Sequence, residues 1–232
     1  MQDSDPNANP FNPLPPVVIA LAVVIAGIEL LFAAAERGFI GGPGAIGWRL
    51  AAIQAWGFVD VVFDWMIQNR RFPPGDVARL VTYPLLHVGF SHALFVVVFV
   101  LALGKMVGEA FRGWAVLAVF FGASVGGALA YGLLLDDRVA LAGGFPGVYG
   151  LIGAFTYILW MRLSDAGAKR YRAFALVGLL LAVQLLFQLF FGGHSGWVAD
   201  LSGFVTGFLM SFVVSPGGPA RLRGWLARAR RR

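Results

Sequence analysis

The chain reads as an all-α integral membrane protein, a bundle of six membrane-spanning helices, on three observations. Of its 232 residues 59% are apolar and only 13% are charged, whereas a soluble domain carries about a quarter charged residues. Mean hydropathy is +0.77. The apolar residues gather in six runs, near 15–35, 81–104, 114–135, 147–163, 173–192 and 197–215, that approach or meet the roughly 20 residues needed to cross a hydrocarbon core.

Residues 1–14 are polar and bear Asp3 and Asp5 without Lys or Arg. The first apolar run therefore lacks the positive flank of a secretion signal and is read as a retained span. Residues 36–80 form a long first loop, amphipathic and rich in Trp48, Trp56, Phe58, Phe63 and Trp65, a composition that suits helices lying in the membrane interface. The five later runs follow with short connections, so residues 15–216 make one membrane domain. Residues 217–232 form a tail with Arg221, Arg223, Arg228, Arg230, Arg231 and Arg232. Beside a span, such a tail points to anionic lipid and not to nucleic acid. No repeat of 20–50 residues is visible. There is no cysteine, which excludes disulfides, a thiolate nucleophile and Cys-based metal sites.

Loop charge sets an orientation. Arg162, Lys169, Arg170 and Arg172, then Lys105 and Arg112, and the tail arginines lie on one side, while the facing loops near 136–138 and 192–197 hold one Arg. Both termini are expected in the cytoplasm, in a bacterial inner membrane. The first loop runs against this pattern, with five Arg from Arg37 to Arg79 on the external side.

Ionisable groups at membrane depth are costly and mark functional positions. His87 and His92 fall at the start of the second run, Pro146 at the start of the fourth and Asp200 at the start of the sixth, with His194 in the loop before it. On this topology all three starts face one side. Each has a plain structural reading as well: an interfacial histidine, or a carboxylate capping the sixth helix. Glu29 in the first span has no evident role.

These residues resemble a known family. The run Arg79 to Phe95, Arg-Leu-Val-Thr-Tyr-Pro-Leu-Leu-His-Val-Gly-Phe-Ser-His-Ala-Leu-Phe, is similar to the second-span signature of the rhomboid intramembrane serine proteases. Gly143 to Leu151 resembles their Gly-Ala-Ser-Gly-Ala-x-x-Gly-Leu element, and Asp200 to Gly207 their His-Leu-x-Gly-x-x-x-Gly element. The likeness covers about residues 77–215 and implies a six-helix rhomboid-like bundle. It also implies a serine on the fourth span as nucleophile, a histidine on the sixth as base, and an asparagine with a histidine on the second stabilising the oxyanion. Here those positions hold Pro146, Asp200, Val96 and His92. Proline has no hydroxyl with which to attack, and losing hydroxyl, imidazole and one donor together costs several orders of magnitude in rate.

Ser124, in Gly122-Ala123-Ser124-Val125-Gly126-Gly127, imitates a nucleophile elbow, but that motif belongs to a strand-to-helix turn, and a small-residue stripe in an apolar helix serves helix packing. Ser195 and Ser202 flank Asp200 and would need a rebuilt site. Gly147, Gly150 and Gly153 on the fourth span and Gly203 and Gly207 on the sixth have helix-packing spacing. Three functions compete: a catalytically degenerate member that binds transmembrane clients laterally without cleaving them, an active protease with a rebuilt site, and a His/Asp site for a metal or protons. By resemblance, the first loop and the connection between the fifth and sixth spans would form the lateral access. Five residues separate His87 from His92, about 140° apart on a helix, which disfavours chelation. No cofactor is expected.

Overall fold

In a computed structural model the described residues are 14–137, 139–167, 169–175, 177–179, 182, 196–220 and 223. Eight α-helices are seen among them: α1 (Pro16–Glu36), α2 (Trp48–Trp56), α3 (Asp60–Asn69), α4 (Pro74–Thr82), α5 (Phe90–Ala110), α6 (Gly113–Leu134), α7 (Phe145–Asp165) and α8 (Gly196–Val214). Prolines open α1, α4 and α7, where the absent N–H costs no intrahelical bond. Four helices, α1, α5, α6 and α8, are long and apolar enough to cross a membrane by length and composition. The fold is an all-α membrane bundle. Most of the fifth expected span, 173–192, lies outside the described residues.

α7 sits at the centre. It packs most extensively against α8 and α6, and α5 packs on its other flank while α1 packs on α5. Residues 146–154 are buried without interruption. Sheathed in protein, α7 can carry Tyr149, Thr156 and Tyr157 where a lipid-facing helix would not. The outer helices turn large apolar side chains outward: Val23 and Leu30 on α1, Phe95 on α5 and Leu209 on α8 are more than half exposed, and Leu94 and Val205 are close to half. In lipid that exposure is satisfied.

The α7–α8 contact is backbone on backbone. A side chain at Gly207 would strike the Gly150 carbonyl and Cα, one at Gly153 the Phe204 carbonyl, and one at Gly203 the Pro146 backbone. Small residues allow this approach, which dispersion and close packing then reward. The Gly122–Gly127 stripe seats α6 against α8 in the same manner, with Gly122 at Met210, Gly126 at Thr206 and Gly127 at the Ala199 carbonyl.

The long first loop is folded as α2, α3 and α4. Trp48, Trp56 and Trp65 are 40%, 49% and 44% exposed, while Phe58 and Phe63 are buried, packed with Tyr83 and Tyr131. Phe58 pairs antiparallel with Leu141 through two backbone hydrogen bonds of 3.1 and 2.8 Å, tying the first loop to the α6–α7 connection.

Glu29, which had no role in the sequence, has one here. Glu29 and Glu36 stand seven residues apart on one face of α1, and Arg49 of α2 reaches both. Its Nη1 and Nη2 donate to the two Glu29 carboxylate oxygens at 2.7 and 2.8 Å, and its Nε and Nη2 to those of Glu36 at 2.6 and 3.2 Å. Nη1 also donates to the His87 carbonyl at 2.8 Å. Glu29 and Arg49 are 3% and 8% exposed, and hydrogen bonds to Glu29 and then Glu36 raise the Arg49 pKa further above its ordinary value.

Removing one partner of a buried pair strands the other charge. Arg49→Met is therefore expected to lower stability by about 3–5 kcal/mol, read as thermal or denaturant unfolding in detergent, and Glu29→Leu added to it should recover part of that loss. Gly207→Leu should prevent α7 and α8 from meeting, costing about 1–3 kcal/mol or more. Gly27→Ala, at a position with nothing within 4 Å, should leave the same unfolding curve unshifted or slightly raised.

Candidate functional site

The starts of α5, α7 and α8 converge at one end of the bundle. His92 lies in the first turn of α5, Pro146 in the first turn of α7 and Asp200 in the second turn of α8. Gly143, just before α7, has φ +118°, and a side chain there would fall on the His92 ring. Glycine is thus required both for the backbone conformation and for the imidazole to lie where it does. The His92 ring also packs on Phe145, centroids 4.9 Å apart.

The segment expected as the start of the second span is different in the structure. Pro84 stands in a 3-10 turn, Tyr83–Leu85, after α4, and the chain runs extended through Leu86 until α5 begins at Phe90. Proline lacks the N–H that a continuing helix needs; Tyr83 before it is still helical, and the backbone turns extended at Leu86. His87 is therefore in the connecting segment and not on the helix, and the angular separation inferred from a common helix does not apply. The His87 and His92 rings are edge to face, centroids 5.3 Å apart.

His87 is buried and committed. Its Nε2 accepts the Gly144 N–H at 3.3 Å, it bonds the Leu85 backbone, and its own carbonyl is held by Arg49. Burial first, and then the neighbouring His92, pull its pKa down to about 3, so the ring is neutral, a fixed acceptor in place of a proton carrier. Tyr83 is fully buried and donates to the Ser124 carbonyl at 2.7 Å. Burial, with the Asp200 carboxylate second, pushes its pKa well above the ordinary tyrosine value. The sequence assigns Tyr83 no role, although it lies within the Arg79–Phe95 run, directly before Pro84.

At the position of the expected nucleophile, the buried Pro146 ring lies where a side chain on Gly127 of α6 would meet it at 2.9 Å, and the Pro146 carbonyl lies against Gly203 of α8. Val96, fully buried, fills the asparagine position and lies against Gly144, whose added Cβ would be 2.8 Å from the Val96 Cγ1. Asp200 is 7% exposed and within electrostatic reach of Tyr83 and Tyr149. Because α8 already runs from Gly196, Asp200 does not cap it. The structure thus brings together His87, His92, Pro146, Val96 and Asp200. His194 and Ser195 lie outside the described residues. Among the described residues no group of three His, Asp or Glu is arranged to hold a metal ion.

The alternative serines are differently engaged. The Ser124 hydroxyl donates to the Phe120 carbonyl at 2.8 Å, one turn back in α6, and is fully buried. The Ser202 carbonyl accepts the Thr206 hydroxyl at 2.8 Å, and Ser202 is half-buried on α8. A general base must stand within hydrogen-bond reach of the nucleophile, and Ser124 gives its proton to a carbonyl instead. Gly147 faces Phe120 and Ser124, and Gly150 faces Ala123.

Comparison with known proteins agrees with this geometry. The family description for the rhomboid domain matches residues 74–217. The putative rhomboid protease YdcA of Bacillus subtilis (strain 168) is 29% identical over 149 residues, 62% of this chain and 71% of that protein. Inactive rhomboid-related protein 2 of Caenorhabditis elegans is 30% identical over 155 residues, 63% of this chain but only 43% of that protein. One relative is thus named for a protease and the other for its lack of activity. The helical bundle, the three converging helix starts and the matched domain together establish that the chain belongs to the rhomboid family.

Proposed function

We propose that this rhomboid is a pseudoprotease that binds transmembrane segments of other membrane proteins laterally and does not cleave them. The observation that carries the reading is the buried Pro146 ring wedged at Gly127. It occupies the nucleophile position, and the Ser124 hydroxyl on α6 is engaged with the Phe120 carbonyl. Asp200 in place of an imidazole and Val96 in place of an amide remove the base and one oxyanion donor. The name of the inactive worm relative supports the same reading.

Client binding draws support from the surface beside this centre. Phe90, Leu94 and Phe95 on the first turns of α5 are 49%, 49% and 58% exposed, a face on which an apolar helix packs without desolvating polar groups. The reading includes cytoplasmic termini in a bacterial inner membrane and an arginine tail on anionic lipid. The competing reading, an active protease with a rebuilt site, has the name of the Bacillus relative in its favour.

Purified protein in liposomes is expected to leave a generic rhomboid-type transmembrane substrate uncut, measured by gel and mass spectrometry. Pro146→Ser with Asp200→His, and with Val96→Asn added, should gain cleavage if the scaffold alone positions a dyad. Cleavage by the wild type would overturn the pseudoprotease reading and direct mutation to Ser202, Ser195 and Ser124. For binding, a photo-crosslinker at Phe95 should capture the same substrate segment, whereas one at Val23 on α1 should not. Equal capture at both positions would overturn lateral recognition at α5.

A further inference from the structure

A second group of ionisable residues lies away from the degenerate centre, where α3 meets the α6–α7 connection. Asp60 opens α3 and is only 2% exposed, and its Oδ1 has no hydrogen-bond partner. A buried carboxylate oxygen left without a partner is costly while ionised. Its surroundings add to the cost. Asp64, one turn along α3, and Asp136 and Asp137 of the α6–α7 connection all act on Asp60 with like charge, and only the Asp137 backbone N–H offers it a compensating hydrogen bond. From α6, Tyr131 faces the same group and donates its hydroxyl to the Val139 carbonyl at 3.2 Å. From α4, Arg79 is engaged with Asp76 and with the Gln54 and Gly57 carbonyls.

This cluster straddles a joint. Two residues before Asp60, Phe58 forms its two-bond bridge with Leu141, and Val139 is held by a 3.0 Å bond from its N–H to the Asp137 carboxylate. Negative charge stands on both sides of that bridge. We propose that Asp60 is a proton-binding site that latches the first loop to the α6–α7 connection, so that acidification closes this joint and rising pH loosens it. The connection leads within a few residues to Gly143 and Pro146, so the latch governs access to the end of the bundle where α5, α7 and α8 begin. It does not depend on whether the chain cuts or binds clients.

The sign follows from linkage. Burial, then the Asp64 charge, raise the Asp60 pKa above the ordinary carboxylate value of 3.8. A carboxyl whose pKa is raised in the docked state favours docking below that raised value and loses the contribution as pH rises through it. A single proton changes the equilibrium by at most about tenfold per pH unit.

The test is hydrogen exchange of the full chain in detergent or nanodiscs, with protection factors corrected for intrinsic rates at each pH. Protection of the Phe58 and Leu141 amides is expected to rise as pH falls from 8 to 4 in the wild type, by up to about tenfold per pH unit below the raised Asp60 pKa. Asp60→Asn, which mimics the protonated carboxyl, should hold high protection at both pH values. A flat wild-type profile, or a pH dependence retained in Asp60→Asn, overturns the proposal. If Asp60→Asn loses protection throughout α6 as well, Asp64→Asn carries the test: removing that charge should move the midpoint to lower pH, and an unmoved midpoint overturns the latch.

Discussion

The direct approach of α7 to α8 is the constraint on which the rest of this molecule depends. With Gly150 and Gly207 in backbone contact and Gly203 under the Pro146 carbonyl, the two helices are fixed in register at the distance of main chains instead of side chains. That register places Pro146 and Asp200 at the same level, and α6, seated on both through its own small residues, brings Ser124 and Gly127 against them. In a membrane there is no hydrophobic drive between helices, so shape supplies what solvent does not. The scaffold of a catalytic dyad is kept at its closest contact although the dyad is absent.

Around this core the remaining polar groups have been put to structural use. His87, buried and neutral, accepts the N–H of Gly144 and so holds the turn into α7. Tyr83 spends its hydroxyl on the Ser124 carbonyl and fixes the 3-10 turn to α6. Ser124 returns its proton to its own helix. These three side chains are hydrogen-bond partners of the buried backbone.

Much of this was legible in the sequence, for reasons that belong to particular residues. The bundle announced itself because membrane spans are long and apolar, and the boundaries of α1, α6 and α8 follow where that apolarity stops. The family was readable because Pro146 and Asp200 stand in frame with glycines that pin the register. What was not legible depended on where the chain turns. The apolar run from residue 81 continues smoothly into α5, so hydropathy cannot see the break at Pro84 that removes His87 from the helix. The partner of Glu29 was hidden for another reason: Arg49 lies 20 residues away in a loop, and only the two-turn spacing of Glu29 and Glu36 marks a face able to receive one guanidinium.

That guanidinium has a consequence for how the protein is built. All five of its N–H donors are engaged, four with α1 carboxylates close in sequence and one with the carbonyl of His87, which is made 38 residues later. Synthesis is vectorial, and domains form from the N-terminus as the chain emerges. The Glu29–Arg49–Glu36 knot closes a short loop at little entropic cost while the second span is still to come, and it leaves one donor open. One guanidinium thus ties a contact local in the chain to one 38 residues on, so the first loop and the start of the second span share a single anchor.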